Sequence, residues 1–192
     1  MKKKNTVPKI FLISSPSGGG EDSVIEGLKK HIHFNRVITM VTRPKLKGEA
    51  QGKPYYFISE KKFKKLIKKN ELIEWAIVYG NYRGCTKKEI QQLLKSILPI
   101  VWKVDWQGVK TIKKIYPQAV AIFIAPPSYK ALKKRLIKRG RDTIEDIKKR
   151  ETFTHEWLKH KDVYDTIVVN DEGMLEDTIN KVLYIMKKEK SP

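Results

Sequence analysis

The segment Ser15-Pro16-Ser17-Gly18-Gly19-Gly20-Glu21-Asp22-Ser23 has the composition of a loop that binds phosphate, with acid where a base is customary. Glycines let successive backbone N–H groups turn toward one anion, and a helix beginning behind them adds partial positive charge. In the pattern G-x-x-x-x-G-K-[ST] a lysine reaches the phosphates and a hydroxyl meets magnesium. Here Ser15 replaces the first glycine, Glu21 holds the lysine position and Asp22 the hydroxyl position. Two carboxylates repel a polyphosphate unless a metal or another cation intervenes. Either the site is inert or its positive charge has moved.

The surrounding elements are those such a loop requires. A strand-like run, Ile10–Ser14, enters it and a helical run, Asp22–His31, leaves it. Further apolar runs of strand length, Ile100–Val104, Val120–Ala125 and Thr166–Val169, alternate with helix-period segments at Gln107–Ile115, Ser128–Lys138 and Gly173–Lys187. This alternation predicts an α/β chain with a parallel sheet flanked by helices. From about 36 to 98 the pattern changes. Val37–Val41, Tyr55–Ile58 and Leu72–Val78 read as strands around a turn-rich Arg43–Pro54 and a helix at Glu60–Lys69, which predicts an inserted β-rich substrate subdomain. A second insertion, about 139 to 158, is polar and basic. Met1–Asn5 and Lys187–Pro192 read as frayed ends.

At 192 residues the chain is one globular unit, able to bury a core and carry such insertions. No apolar stretch has the length of a membrane helix, and the Lys-rich start lacks the apolar run of a signal peptide. The single cysteine, Cys85, excludes an internal disulfide and a cysteine zinc site. A cytoplasmic protein without membrane contact is the simplest expectation. The formal charge of +20 raises the question of nucleic acid. Only seven of the 41 basic residues are arginine, however, and the lysines are scattered in pairs. Base readout and phosphate forks favour arginine, so a lysine-coated surface is the preferred reading over a nucleic-acid binder.

Several landmarks then occur in order: Ser14-Ser15-Pro16-Ser17-Gly18, Thr42-Arg43, Gly52-Lys53-Pro54-Tyr55-Tyr56-Phe57, Glu71-Leu72-Ile73-Glu74-Trp75-Ala76, Gly80-Asn81-Tyr82, Gln107-Gly108, Arg139-Gly140 and Val168-Val169-Asn170-Asp171. With these the sequence resembles the guanylate kinases, from about Ile10 to Lys187. The resemblance implies a P-loop kinase core (1–35, 99–138 and 159–192), a GMP-binding subdomain (36–98) and a helical lid (139–158). It implies transfer of the γ-phosphoryl of ATP to GMP with Mg²⁺, by positioning and positive charge. Glu74 would read the guanine N1–H and N2 amino group, Thr39 and Cys85 would touch the base, and Asp105 would complete the base pocket. Arg43, Tyr55 and Arg83 would hold the GMP phosphate. Ser17, Gly18, Gly19, Gly20, Glu21, Asp22 and Ser23 would surround the ATP phosphates, with Asp22 and Ser23 toward the metal and Asn170 near the adenine. Arg135, Arg139 and Arg150 would close from the lid, and Lys103 with Arg43 would join them as catalytic cations.

The departures from the family pattern come in compensating pairs. Lys103 stands where the first of two acids is usual, against Glu21 in the loop; Leu46 replaces a phosphate-binding arginine while Arg83 replaces a tyrosine. Two readings follow. In the first, Lys103 supplies the phosphate-facing ammonium from the strand and Glu21 pairs with it. In the second, a buried Glu21–Lys103 bridge merely preserves an inactive loop, leaving a module that binds nucleotide or a protein partner without turnover.

Overall fold

The computed structural model describes residues 7–189. The run Ile10–Ser14 forms strand β1, every residue of it buried, because an apolar strand at the centre of a parallel sheet is covered on both faces. The sheet is completed by β2 (Asn35–Arg36), β8 (Ile100–Lys103), β9 (Val120–Ala125) and β10 (Thr166–Val169). Its order is β10-β9-β1-β8-β2, all parallel. Although the strands read as continuous apolar runs, their residues still alternate between two cores. Ile10, Leu12, Trp102 and Phe123 pack with helix α4 (Trp106–Ile115) on one face. Phe11, Ile13, Val101 and Ile122 pack with α1 (Glu21–Leu28) and α7 (Leu175–Lys188) on the other. The register Ile13↔Lys103 puts the end of β8 beside the end of β1, where the loop departs. In open α/β sheets ligands gather at this carboxyl edge.

A second sheet lies wholly between residues 39 and 86. It contains β3 (Thr39–Val41), β4 (Ala50–Gln51), β5 (Pro54–Phe57), β6 (Leu72–Val78) and β7 (Asn81–Thr86), in the order β4-β5-β3-β7-β6. The strand expected over Val37–Val41 is divided. Asn35–Arg36 pairs with β8 in the first sheet and Thr39–Val41 with β5 and β7 in the second, so the chain crosses between sheets at 37 and 38. β7 is absent from the sequence reading because Asn81, Arg83 and Gly84 are poor strand formers. Hairpin pairing with β6 overrides that preference. Gly84 is required there, since a Cβ would come within 2.6 Å of the Glu74 carbonyl. Helix α2 (Glu60–Lys68) covers this sheet with Phe63, and α3 (Lys87–Leu93) returns the chain to the first core through Ile90.

The basic insertion joins the end of α5 (Tyr129–Arg139) to a long helix, α6 (Ile144–Lys159). A capping box starts α6, with the Thr143 hydroxyl accepting from the Asp146 N–H and the Asp146 carboxylate accepting from the Thr143 N–H. Trp157 anchors its far end, the indole N–H donating to the Tyr164 hydroxyl at 2.8 Å and reaching Ser14 at 3.3 Å. α7 continues through Lys188, past the start of the frayed end expected from Lys187. The expectation for Met1–Asn5 and that for residues 190–192 lie outside the described residues. No helix among those described is long and apolar enough to cross a membrane.

Phe123 is fully buried and stacks on Tyr164 at 4.9 Å, linking the sheet to the Trp157 anchor. Phe123→Ala is expected to cost about 3–5 kcal/mol of unfolding free energy, read from urea unfolding followed by circular dichroism.

Candidate active site

A cleft of about 630 Å³ opens at the carboxyl edge of the first sheet, between the loop, the second sheet and the lid. Two glycines shape the loop. A Cβ on Gly19 would fall 1.6 Å from the Ser15 hydroxyl, and Gly20 has φ +106° with Asn170 crowding it. No side chain among the described residues caps α1, so its first-turn N–H groups remain available to an anion. Ser17, Gly18, Gly20, Glu21, Asp22 and Ser23 all line the cleft. Gly19 and Asn170 do not. The Asn170 amide donates to the Gly19 carbonyl at 2.8 Å and its oxygen accepts from Thr178 at 3.1 Å, which makes it a support beneath the loop.

The acid at 21 and the lysine at 103 do meet. Lys103 Nζ lies 3.0 Å from Glu21 Oε1 and 2.5 Å from Asp22 Oδ2. Burial alone would lower the ammonium's pKa, but Glu21, the Tyr55 phenol and Asp22 together outweigh it and push it up. Arg36, on β2, holds the other oxygen of Asp22 at 2.8 Å and Glu26 at 2.8 Å. Burial works to raise the Asp22 pKa, yet Lys103 and Arg36 together bring it down to about 2. Two carboxylates therefore face two cations, and the loop that looked repulsive in sequence is neutralised from the neighbouring strands.

Across the cleft, Thr39, Arg43, Tyr55, Glu74, Arg83 and Asp105 form the opposing wall, with Leu46 beside them. Glu49 grips the Arg43 guanidinium with both oxygens, at 2.6 and 2.7 Å. Arg43, Arg83 and Lys103 lie 5.4, 6.0 and 5.7 Å from the Tyr55 ring, so three cations surround one phenol. The Arg83 Nε is buried without a partner among the described residues. Glu74 is 6% exposed, and its pKa is pushed up to about 8, first by burial and then by Asp105, against one backbone hydrogen bond from Cys85. Asp105 also caps α4, accepting from the Gly108 N–H at 2.8 Å. Cys85 departs from the expectation. Its thiol points into the core with Ile90 and Val37 and donates to the Thr86 carbonyl, so only its backbone N–H serves the cleft.

The lid arginines line the same cleft, each held by a protein acceptor. Arg135 donates to the Asn170 carbonyl at 2.7 Å, Arg139 to Asp142 at 2.5 Å, and Arg150 to Asp142 and Ser17 at 2.7 Å each. A family sequence model described as guanylate kinase matches residues 7–189. The chain belongs to the guanylate kinase family. A guanylate kinase of Rickettsia prowazekii is 38% identical over 192 residues, covering 100% of this chain and 96% of that protein. One from Carboxydothermus hydrogenoformans is 37% identical, covering 94% and 88%. The crystal structure of guanylate kinase from Anaplasma phagocytophilum shares the fold with a TM-score of 0.77, 29% identity, and coverage of 97% and 88%.

Three residues of this guanylate kinase site were not singled out in the sequence: Arg36, Tyr79 and Asp142. Each acts by holding another side chain, and sequence spacing carries no signal for such contacts. Gly48-Glu49 is a further landmark of the family resemblance, but the grip of Glu49 on Arg43 is a contact seen only in the structure.

Glu74 makes the site's stability pH-dependent. Below pH 4.5 the acid is neutral both folded and unfolded. Between 4.5 and 8 the unfolded chain ionises while the buried group does not, so its contribution drains away as pH rises. The wild type is expected to lose stability relative to Glu74→Gln by roughly 1.4 kcal/mol per pH unit across that window, measured by urea unfolding at pH 5.5 and 7.5.

Proposed function

We propose that the chain moves the γ-phosphoryl group of ATP to GMP, giving ADP and GDP, with its phosphate-facing lysine supplied by β8. The observation that supports this best is one cleft holding a phosphate-type loop, a buried acid suited to guanine, and cations from three elements between them. In the reaction a GMP phosphate oxygen forms a bond to the γ-phosphorus as the bond to the bridging β-oxygen breaks. That oxygen leaves on ADP, and negative charge spreads over the transferring group. What the protein must supply is position and positive charge.

Lys103 fits the second need. An ammonium has three donors; Asp22 accepts from one and Glu21 lies 3.0 Å away as an ion pair, which leaves a donor for a phosphate oxygen. The two carboxylates fix its direction. Arg43, held as a fork by Glu49, and Arg83, with an unused Nε, would take the GMP phosphate beside Tyr55. Arg83 then replaces the cation missing at Leu46, since both line this wall. Thr39 and Glu74 would meet the base edge, with Asp105 supporting Glu74, and the lid arginines would exchange Asp142 and backbone acceptors for phosphate oxygens.

Mg²⁺ is held mainly by nucleotide phosphates with one or two protein oxygens, which Asp22 and Ser23, both lining the cleft at the start of α1, would provide. Bound there, it would neutralise charge on the phosphates. Asp22 would have to share or yield an oxygen now held by Lys103 or Arg36. We place the protein in the cytoplasm, with soluble ATP and GMP as its partners.

Coupled ADP release measured over GMP, dGMP, AMP, IMP and UMP is expected to be fastest with GMP and at background with AMP and UMP. GMP binding without GMP-dependent ADP release would overturn the assignment. Lys103→Met is expected to lower kcat by about 10²–10³. Glu21→Lys combined with Lys103→Asp should recover most of that loss, since the ammonium returns to the loop. Unchanged kcat in Lys103→Met would show that the ammonium serves only the fold.

A further inference from the structure

The hairpin between β6 and β7 turns through two residues, Tyr79 and Gly80, with φ of +52° and +75°. Such a turn favours asparagine, aspartate or glycine at its first position, and a bulky aromatic there is an outlier. Strain of this kind persists where surrounding contacts over-determine it, and it concentrates at functional sites. Here the contacts are plain. The Tyr79 hydroxyl accepts the Ser17 N–H at 3.2 Å. The Arg150 guanidinium lies 4.6 Å from the Tyr79 ring centre, and the Phe153 ring packs against it at 4.8 Å. Arg150 in turn donates to the Ser17 hydroxyl at 2.7 Å. Tyr79, Ser17 and Arg150 therefore close a three-way contact among the second sheet, the loop and the lid. Of the three, only Tyr79 belongs to the hairpin that carries Glu74 and Arg83.

We propose that Tyr79 is a positioning residue that couples occupancy of the guanine wall to the loop and lid that hold ATP. The strands on either side of it carry Glu74 and Arg83, so movement of that hairpin on substrate binding is carried to Ser17 through the hydroxyl and to Arg150 through the ring. The ring face gives the guanidinium a flat support, so its fork keeps one orientation while its acceptors change from Asp142 to phosphate. The strained turn fits this role, because a relaxed residue at position 79 without the phenol would make neither contact. The coupling rests on the ATP and GMP assignment above, and its test has a readout independent of turnover.

The test measures equilibrium binding of a non-hydrolysable ATP analogue with and without saturating GMP, together with steady-state kinetics. The proteins are wild type, Tyr79→Phe, Tyr79→Leu and Arg150→Lys. Tyr79→Phe keeps the ring and loses only the bond to Ser17. It is expected to weaken the GMP-dependent gain in analogue affinity by about three- to tenfold, leaving the KM for GMP within twofold. Tyr79→Leu should abolish the gain and lower kcat, while Arg150→Lys, which keeps charge without the planar stack, should resemble Tyr79→Leu. Wild-type coupling in both Tyr79→Phe and Tyr79→Leu overturns the proposal even if GMP turnover is normal. An equal rise in both KM values with coupling intact marks a purely structural role and also overturns it. If the wild type turns over no GMP, the functional assignment fails, and the analogue titrations still decide the tyrosine's role using GMP as a ligand. Tyr79→Gly, which relieves the turn without restoring contacts, should match Tyr79→Leu in coupling while unfolding at higher urea.

Discussion

An ammonium between two carboxylates, at the point where β8 ends beside the loop, is the contact on which the cleft depends. Lys103 and Glu21 are both largely buried, so neither charge is tolerable alone. Removing one partner of such a pair typically costs about 3–5 kcal/mol because the survivor is left unpaired in a poorly solvated place. Arg36 extends the arrangement outward by holding Asp22 and Glu26, which ties β2 to α1. The loop's shape therefore rests on two strand ends as well as on its glycines. Neither Glu21 nor Lys103 is free to change singly: a lysine at 21 would face another lysine, and an acid at 103 would leave three carboxylates together.

Around this contact the fold supplies rigidity in one part and freedom in another. The centre of the first sheet, β1 and β9, is buried on both faces and is tied to the lid through Trp157, Ser14 and Tyr164. The second sheet shares few such anchors, and its hairpin meets the loop through one phenol. Lid arginines resting on Asp142 and on a backbone carbonyl hold fork geometry in advance of any phosphate. Their acceptors are exchangeable without unfolding anything.

Much of this was legible in the residues. The apolar strands Ile10–Ser14, Val120–Ala125 and Thr166–Val169 were read at their observed limits, the first two because a buried parallel strand has an unmistakable composition and the third, an edge strand, from its β-branched run. The meeting of Glu21 and Lys103 followed from placing a strand tip beside a loop. What escaped had no local signature. β7 exists through its pairing with β6, the divided strand at 35–41 answers to two different sheets, and the Cys85 thiol follows the pleat into the core instead of the cleft. Asn170 was expected near the adenine, whereas its amide serves the backbone of Gly19 beneath the loop, a contact visible only in three dimensions.

Glu74 carries a chemical consequence beyond shape. With burial pushing its pKa up to about 8, Glu74 holds its proton more tightly than an exposed carboxyl does. Only the carboxylate, with two acceptors, matches the N1–H and N2 amino group of guanine. Recognition of guanine at this wall would therefore expel a proton, and how deeply one side chain is buried sets the cost of that release.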